Sequence, residues 1–358
     1  MKHWVRRTLA LLVCAMMTAM PALAEEEVRA EVIPLPEEGK GTMVDITATE
    51  DPMLGPSGSG YLFNKGDSNP YGYADPSITV NIGTGRIHQT NYMYARIKLS
   101  SPYQIRVAAT EDSLAKVTSI YAAKLATRVK SVVAVNGVLA ADRTTGGVGA
   151  RLDGPVKLQG VWKRPSETAS ESKIAKWRAE EGQDTLVIDD EGDLILVSGE
   201  TWGDIYDEIE EMGDAAVNAF CFGPALVIDG QPQYGYYSRG ISSSKYAQRM
   251  AICQTGKLEY MVITSEGPEQ KNSKGLKLDQ FVELLASFPD IRFAYNLDGG
   301  SSSTLVFRKG NEKWAKVNCP SGSKERVVRD IIYFASAWQP SKKGGVEALP
   351  GHVTGEAK

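Results

Sequence analysis

RMAICQTGKLEYMVITSEGPEQKNSKGLKLDQFVELLASFPDIRFAYNLD, residues 249–298, is the stretch on which the fold turns. Residues 249–254 and 258–264 are apolar runs joined by Thr255-Gly256-Lys257, which reads as a hairpin. Leu278, Phe281, Leu284, Leu285 and Phe288 then recur at helical spacing, and 291–297 returns as a strand. Strand, helix, strand over 258–297 is a crossover, which sets its two strands parallel with a right-handed connection. The hairpin partner 249–254 runs the other way, so the expected sheet is mixed.

Outward from this stretch, strands and helices continue to alternate. Residues 77–82 and 92–99 read as strands, the second with alternating Met93, Ala95, Ile97 and Leu99. Asp112 or Ser113 can cap a helix carrying Leu114, Val117, Ile120, Tyr121 and Leu125 on one side. Residues 131–135 form a strand that ends at Asn136-Gly137. A hairpin of 186–188 with 194–197, a helix over 202–212 and a strand at 221–228 broken by Gly223-Pro224 complete the pattern. The fold class is α+β: one domain on a large mixed β-sheet with helices packed against it.

The ends of the chain differ from this core. Lys2, Arg6 and Arg7, the apolar run 9–20 and Ala22-Leu23-Ala24 form a secretory signal pattern over 1–24. Its removal leaves no membrane span, so the protein is expected in the cell envelope or secreted. Residues 25–76, rich in Glu, Pro, Gly, Asp and Ser, read as a linker or loosely packed arm. The domain then occupies 77–338, followed by a flexible tail at 339–358. A net charge of −4 over 358 residues lacks the basic footprint of a nucleic-acid binder. Past the signal, Cys221, Cys253 and Cys319 remain, an odd number that excludes a full disulfide framework. One bridge with a free thiol and three buried thiols both fit. Oligomeric state is not legible.

Strand direction gathers the polar residues. Glu266 and Asp298 each follow a strand of the crossover, so both fall on one edge of the sheet. Arg249 opens the strand that returns to that edge, and Asn136 ends another. Ligands of open α/β sheets gather at such strand ends. After Asp298 comes Gly299-Gly300-Ser301-Ser302-Ser303, a turn whose successive N–H groups can form an anion cradle. Two carboxylates suit glycoside hydrolysis, and a cation or N–H cradle suits a phosphate leaving group. Carboxylates and carbonyls would also accept Ca²⁺ or Mg²⁺, at Asp298 or at the acidic turn 189–193, although no residue requires a cofactor. Serine acyl-transfer has little support: Ser242-Ser243-Ser244-Lys245 fits Ser-x-x-Lys, but no Ser-Asp-Asn or Lys-Thr-Gly partner accompanies it.

NLDGGSSSTLVF (296–307) resembles the signature of the phosphodiester glycosidase family, which has many secreted bacterial members. AVNGVLA (134–140), FGPALVIDG (222–230), RMAICQT (249–255), GLKLDQF (275–281) and VNCPSGSKERVV (317–328) are similar to further family segments, in the same order. The resemblance covers about 75–336 and implies a domain that cleaves a sugar from a sugar-1-phosphodiester. It implies a site of Asn136, Arg249, Asp298, Gly299, Gly300, Asn318, Ser321 and Arg326, and the adjoining Ser301 and Ser302 join the substrate-binding set. Asp298 is expected as acid/base or nucleophile, Glu266 as second carboxylate and Arg249 as phosphate clamp. Four positions depart from the pattern: Ser301 for a third glycine, Leu139-Ala140 for an aromatic pair, Cys253 for a strand-ending glycine, and Glu266-Gly267-Pro268 for Asp-Gly-Arg. These changes leave open a non-catalytic protein that binds envelope polymer or exopolysaccharide on the same fold.

Overall fold

The computed structural model describes residues 60–63, 70–75, 77–110, 120–137, 154–166, 169–235, 243–268, 270, 272–309, 313–318, 325–336, 338–340 and 346–348. The signal pattern, Ser321, Cys319 and Leu139-Ala140 lie outside these residues. β1 (Gly60–Phe63), β2 (Pro70–Asp75), β3 (Ile78–Ile87) and β4 (Thr90–Leu99) come first. β5 (Ile105–Ala109), the helix Ala122–Arg128 and β6 (Val133–Asn136) follow. Then come β7 (Val156–Leu158), β8 (Val161–Arg164), the helix Glu171–Arg178, β9 (Thr185–Asp189) and β10 (Leu194–Val197). The helix Trp202–Glu211 leads into β11 (Ala216–Cys221), β12 (Ala225–Ile228) and β13 (Gln231–Pro232). β14 (Met250–Gly256), β15 (Glu259–Ser265), the helix Leu278–Ala286 and β16 (Phe293–Leu297) occupy the crossover region. β17 (Leu305–Lys309), β18 (Lys313–Lys316), β19 (Asp330–Phe334) and the ribbon of β20 (Trp338–Pro340) with β21 (Val346–Ala348) complete the order.

The α+β architecture rests on three sheets. The large one runs β1-β2-β3-β4-β15-β14-β16-β12-β13, and two five-stranded sheets run β10-β9-β11-β7-β8 and β18-β17-β6-β19-β5. Every described strand pair is antiparallel. The crossover strands β15 and β16 do point the same way, but β14 lies between them. Among the described strands the large sheet is therefore antiparallel and not mixed, and β15 and β16 share a direction only as next-but-one neighbours. β1 and β2 extend its edge into the stretch 25–76. Asp112, Ser113, Leu114 and Val117 of the expected helix lie outside the described residues; within them Ile120 pairs with Val328 as an isolated bridge and a helix runs over Ala122–Arg128.

Alternation along the central strands makes two apolar faces. Met250, Ile252, Val262, Tyr295 and Leu297 face the main core, where they meet Val133, Val135, Leu305, Phe307, Ile332 and Phe334 of one smaller sheet and Leu186, Ile188 and Phe220 of the other. Ala251, Cys253, Met261, Ile263 and Ala294 face the opposite way and pack on Leu278, Phe281, Val282, Leu284 and Leu285. That helix closes the outer face because its apolar positions recur at three and four residues. Cys221 and Cys253 are buried, and burial pushes the Cys253 thiol pKa strongly up. Among the described residues no helix is long and apolar enough to cross a membrane.

Phe281 is fully buried in the outer core. Phe281→Ala should destabilise the fold by ~3–5 kcal/mol through lost burial and a cavity. Urea denaturation of the two proteins checks this; a change within error would show that the helix does not hold the sheet.

Candidate active site

Register puts the expected polar residues at one end of the large sheet. Met250 pairs with Thr264 on one side and Leu297 on the other, so Arg249 falls between Ser265 and Asp298 in the next row. Glu266 is one step further. Residues 298–304 then carry the chain out of β16 in the large sheet and into β17 in a smaller sheet. The site thus lies where two sheets meet.

Asn136, at the end of β6, ties this connection together. Its Nδ2 donates to the Asp298 carbonyl (3.0 Å) and the Gly137 carbonyl (3.1 Å), and its Oδ1 accepts from the Thr304 N–H (3.0 Å). Asn318 does similar work, accepting from the Leu305 N–H and donating to the Ser303 carbonyl. Gly299 is required because a Cβ would stand 2.7 Å from the Gln248 carbonyl oxygen, and Gly300 has φ +61°.

The loop does not form the expected cradle. Gly300 N–H donates to Gln248, Ser302 N–H to Gly299 and Ser303 N–H to Gly300. With Thr304 N–H on Asn136, four of the six amides from Gly299 to Thr304 are engaged, which leaves those of Gly299 and Ser301 as candidates for anion binding. The cause is the short 3₁₀ turn Gly300–Ser302, which uses its own donors.

Arg249 also differs from the expected clamp. Its side chain is 6% exposed, with Nε donating to the Leu276 carbonyl and Nη2 to the Lys245 carbonyl. Burial lowers its pKa to about 10, which leaves it charged at neutral pH. It is committed to holding the chain segments beside the site. The cation that faces Asp298 is Arg326, whose Nη1 is 3.8 Å from Asp298 Oδ2 and whose side chain is 52% exposed. Arg326 is anchored by its own N–H, which donates to the Ser301 carbonyl.

Beside it lies a carboxyl that the sequence reading missed. Glu325 Oε2 is 3.9 Å from Lys316 Nζ, and the carboxyl lies near the Thr304 hydroxyl without reaching hydrogen-bond geometry. Burial pushes its pKa up, against the smaller opposing effects of Lys316 and Thr304. Its Oε1 and the hydroxyls of Ser302, Ser303 and Thr304 are buried with no hydrogen-bond partner. Such atoms are rare in folded proteins and mark a place where a polar ligand or water belongs. The one signal in the sequence was position, because Glu325 precedes the Arg of the closing motif.

Glu266 is held differently. Its Oε2 accepts from Asn91 Nδ2 (2.9 Å) and from the Ser273 hydroxyl, and it lines a cavity of about 430 Å³ together with Asn318. The acidic turn 189–193 is bound by an ammonium instead of a cation site: Lys257 Nζ lies 2.7 Å from Glu191 and 2.8 Å from Asp193. Among the described residues no three His, Cys, Asp or Glu side chains gather as metal ligands. The Phe-Gly-Pro segment has a structural use, because Asn296 donates to the Gly223 carbonyl and the Tyr295 hydroxyl accepts from the Phe222 N–H.

The site thus joins a carboxylate on a glycine loop at a sheet junction with a facing guanidinium. The model of the phosphodiester glycosidase family matches residues 130–335, more than half of the chain, and the protein belongs to that family. Among solved structures, the zebrafish N-acetylglucosamine-1-phosphodiester alpha-N-acetylglucosaminidase catalytic domain, auto-inhibited by its pro-peptide, shares the fold with 18% identity and a TM-score of 0.53; the match covers 73% of this chain and 84% of that one. A hypothetical protein from Synechocystis is more distant, at 14% identity and a TM-score of 0.43, over 72% of this chain and 62% of the other. No curated protein matches.

Asn136→Leu should leave the Asp298 carbonyl and Thr304 N–H unpaired and destabilise by about 1–3 kcal/mol for each buried group. Thermal melting and amide exchange at Thr304 read this out; unchanged protection there would mean that Asn136 does not hold the loop. Glu325 binds protons more tightly folded than unfolded, so its contribution to stability falls as pH rises through the carboxylate range. Glu325→Gln should therefore melt above wild type at neutral pH, with the gap shrinking toward pH 4, and a gap that stays constant with pH would contradict the burial effect.

Proposed function

We propose that this chain is an extracytoplasmic glycosidase that cleaves a sugar from a sugar-1-phosphodiester or a related envelope or exopolysaccharide glycan. Family membership supports the reaction class, and the Asp298–Arg326 pair carries the assignment of roles. Asp298 sits on the fixed loop, where it can approach an anomeric carbon as nucleophile or orient a water. When the anomeric C–O bond breaks, its electron pair leaves on the phosphate oxygen. Arg326, solvent-accessible and charged, neutralises that oxygen. Phosphate is a good leaving group, so the demand on a general acid is small. A second carboxyl is more useful as a base for the attacking water, and the raised pKa of Glu325 suits it to accept that proton. Water adds to the sugar carbon, one proton is taken up by the base, and a phosphomonoester is released. The extracytoplasmic location rests on the signal pattern of residues 1–24.

One observation favours a second reading, glycan binding without turnover. Four of the loop amides and the Arg249 guanidinium are already engaged, which leaves fewer groups to stabilise a leaving phosphate. Turnover of a synthetic N-acetylglucosamine-1-phosphate methyl diester separates the two. Wild type should release the sugar, Asp298→Asn should lose roughly 10²–10⁴-fold in kcat, and Arg326→Ala should raise KM. Equal turnover by wild type and Asp298→Asn would remove Asp298 from the reaction. Glycan binding with no product from wild type would establish the second reading.

A further inference from the structure

The 430 Å³ cavity opens where the β3–β4 ribbon meets the end of β15 and the residues after β18. Its size falls in the usual range for small-ligand sites, roughly 300–1,000 Å³. Arg86 pairs with Asn91 and Thr84 with Met93, so these four share one face of the ribbon. Met93 packs on the main core with Val317, which identifies that face as the inner one.

The polar groups there are pre-arranged. Arg86 Nη1 donates to Asn91 Oδ1 (2.6 Å), and Asn91 Nδ2 donates to Glu266 Oε2 (2.9 Å). The Ser273 hydroxyl donates to the same oxygen. Glu266 is thus fixed through Oε2, and Oε1 keeps its capacity to accept. Among the described residues the lining holds one cation, Arg86, and one carboxylate, Glu266, and no other charged residue. A phosphate would meet Glu266 and an amine would meet Arg86, so neither charge sign is favoured. Mixed donors and acceptors beside Met93 and Val317 suit a ligand whose hydroxyls both donate and accept and whose ring has an apolar face.

We infer that this cavity is a subsite for a neutral, hydroxyl-rich sugar unit, with Glu266 as its oriented acceptor and not the second catalytic carboxylate. Its place ties it to the centre described above. Asn318 lines the cavity and bonds the Ser303 carbonyl and Leu305 N–H, while Ser265 lines it and accepts from the Arg249 N–H. The ribbon residues Thr84 to Met93 precede residue 130, where the family match begins, so that match does not itself cover this wall. The inference deepens the proposed function by extending the substrate to a glycan longer than one sugar, and it rests on that reading.

The test uses the full chain carrying Asp298→Asn, fluorescently labelled, on an array of neutral and phosphorylated oligosaccharides, with Glu266→Gln and Thr84→Trp added separately. Circular dichroism establishes that each variant is folded; Thr84 is exposed, so the tryptophan fills the cavity without disturbing the core. Binding to neutral oligosaccharides that falls at least 10-fold with either added substitution is expected. No binding to neutral glycans, binding confined to phosphorylated ones, or equal binding by all variants would overturn the inference. Turnover of the short methyl diester by Thr84→Trp in the wild-type background distinguishes the two readings. If the subsite is right, the short substrate is cleaved with near wild-type kcat. If that substrate is cleaved normally while array binding is unaffected, the subsite fails and the hydrolase reading stands.

Discussion

The site depends on one side-chain amide. The chain leaves the large sheet at Leu297 and enters a smaller sheet at Leu305, and Asn136 grips both ends of the segment between. The carbonyl of Asp298 needs a donor and the N–H of Thr304 needs an acceptor. A short side chain with both, in fixed geometry, is asparagine. Aspartate would set an acceptor against a carbonyl, and leucine would satisfy neither group. Because Asn136 is 1% exposed and lies in β6, between β17 and β19, it is as rigid as the sheet itself. Asp298 inherits that rigidity through its own backbone.

Much of this was legible in the sequence, for physical reasons. The crossover at 258–297 was readable because period-two and period-3.6 patterns abut there, and it delivered Asp298, Arg249 and Glu266 to one edge. The neighbour relations were less legible. Nothing in the pattern of β15 or β16 says that β14 inserts between them, since both faces of all three strands are apolar. Three-sheet packing was equally hidden, because a strand buried by a second sheet and one buried by a helix share the same composition. Side-chain direction was the other gap. Arg249 shares a face with Ala251 and turns toward Leu276 and Lys245, a consequence of register that residue type cannot reveal. Glu325 was missed because its significance comes from burial beside Thr304, not from any motif around it.

The family segments divide into architecture and chemistry. Phe222-Gly223-Pro224 docks β12 on β16 through Asn296 and Tyr295. Asn136 and Asn318 bind the loop by both edges, and Gly299 lets it approach Gln248. Arg249 holds carbonyls of neighbouring segments. Among the described residues, Asp298, Arg326 and the buried polar atoms around Ser302 and Glu325 are the side-chain groups that this architecture does not account for. Of the departures from the family pattern, Cys253 lies in the outer core beneath the helix Leu278–Ala286, so it changes packing and not the site. Glu266 does stand at the site, where it forms part of a wall built with the β3–β4 ribbon.

The placement of the cations bears on the reaction. Arg249 cannot turn to a ligand without giving up its hydrogen bonds to the Leu276 and Lys245 carbonyls, which tie two chain segments to the sheet edge. Among the described residues the Arg326 guanidinium has no such commitment. Its contact with Asp298 is 3.8 Å long and half open to solvent, and such pairs contribute only about 0–1 kcal/mol. A phosphate that displaced Asp298 as its partner would lose little and would place its own charge within hydrogen-bond reach of the guanidinium. The same exchange would release the Asp298 carboxylate from its counter-ion and raise its nucleophilicity at the moment the substrate arrives. An ion pair weak enough to be exchanged therefore serves this chemistry better than a tight, buried one, and the buried arginine is left to keep the sheet edge in place.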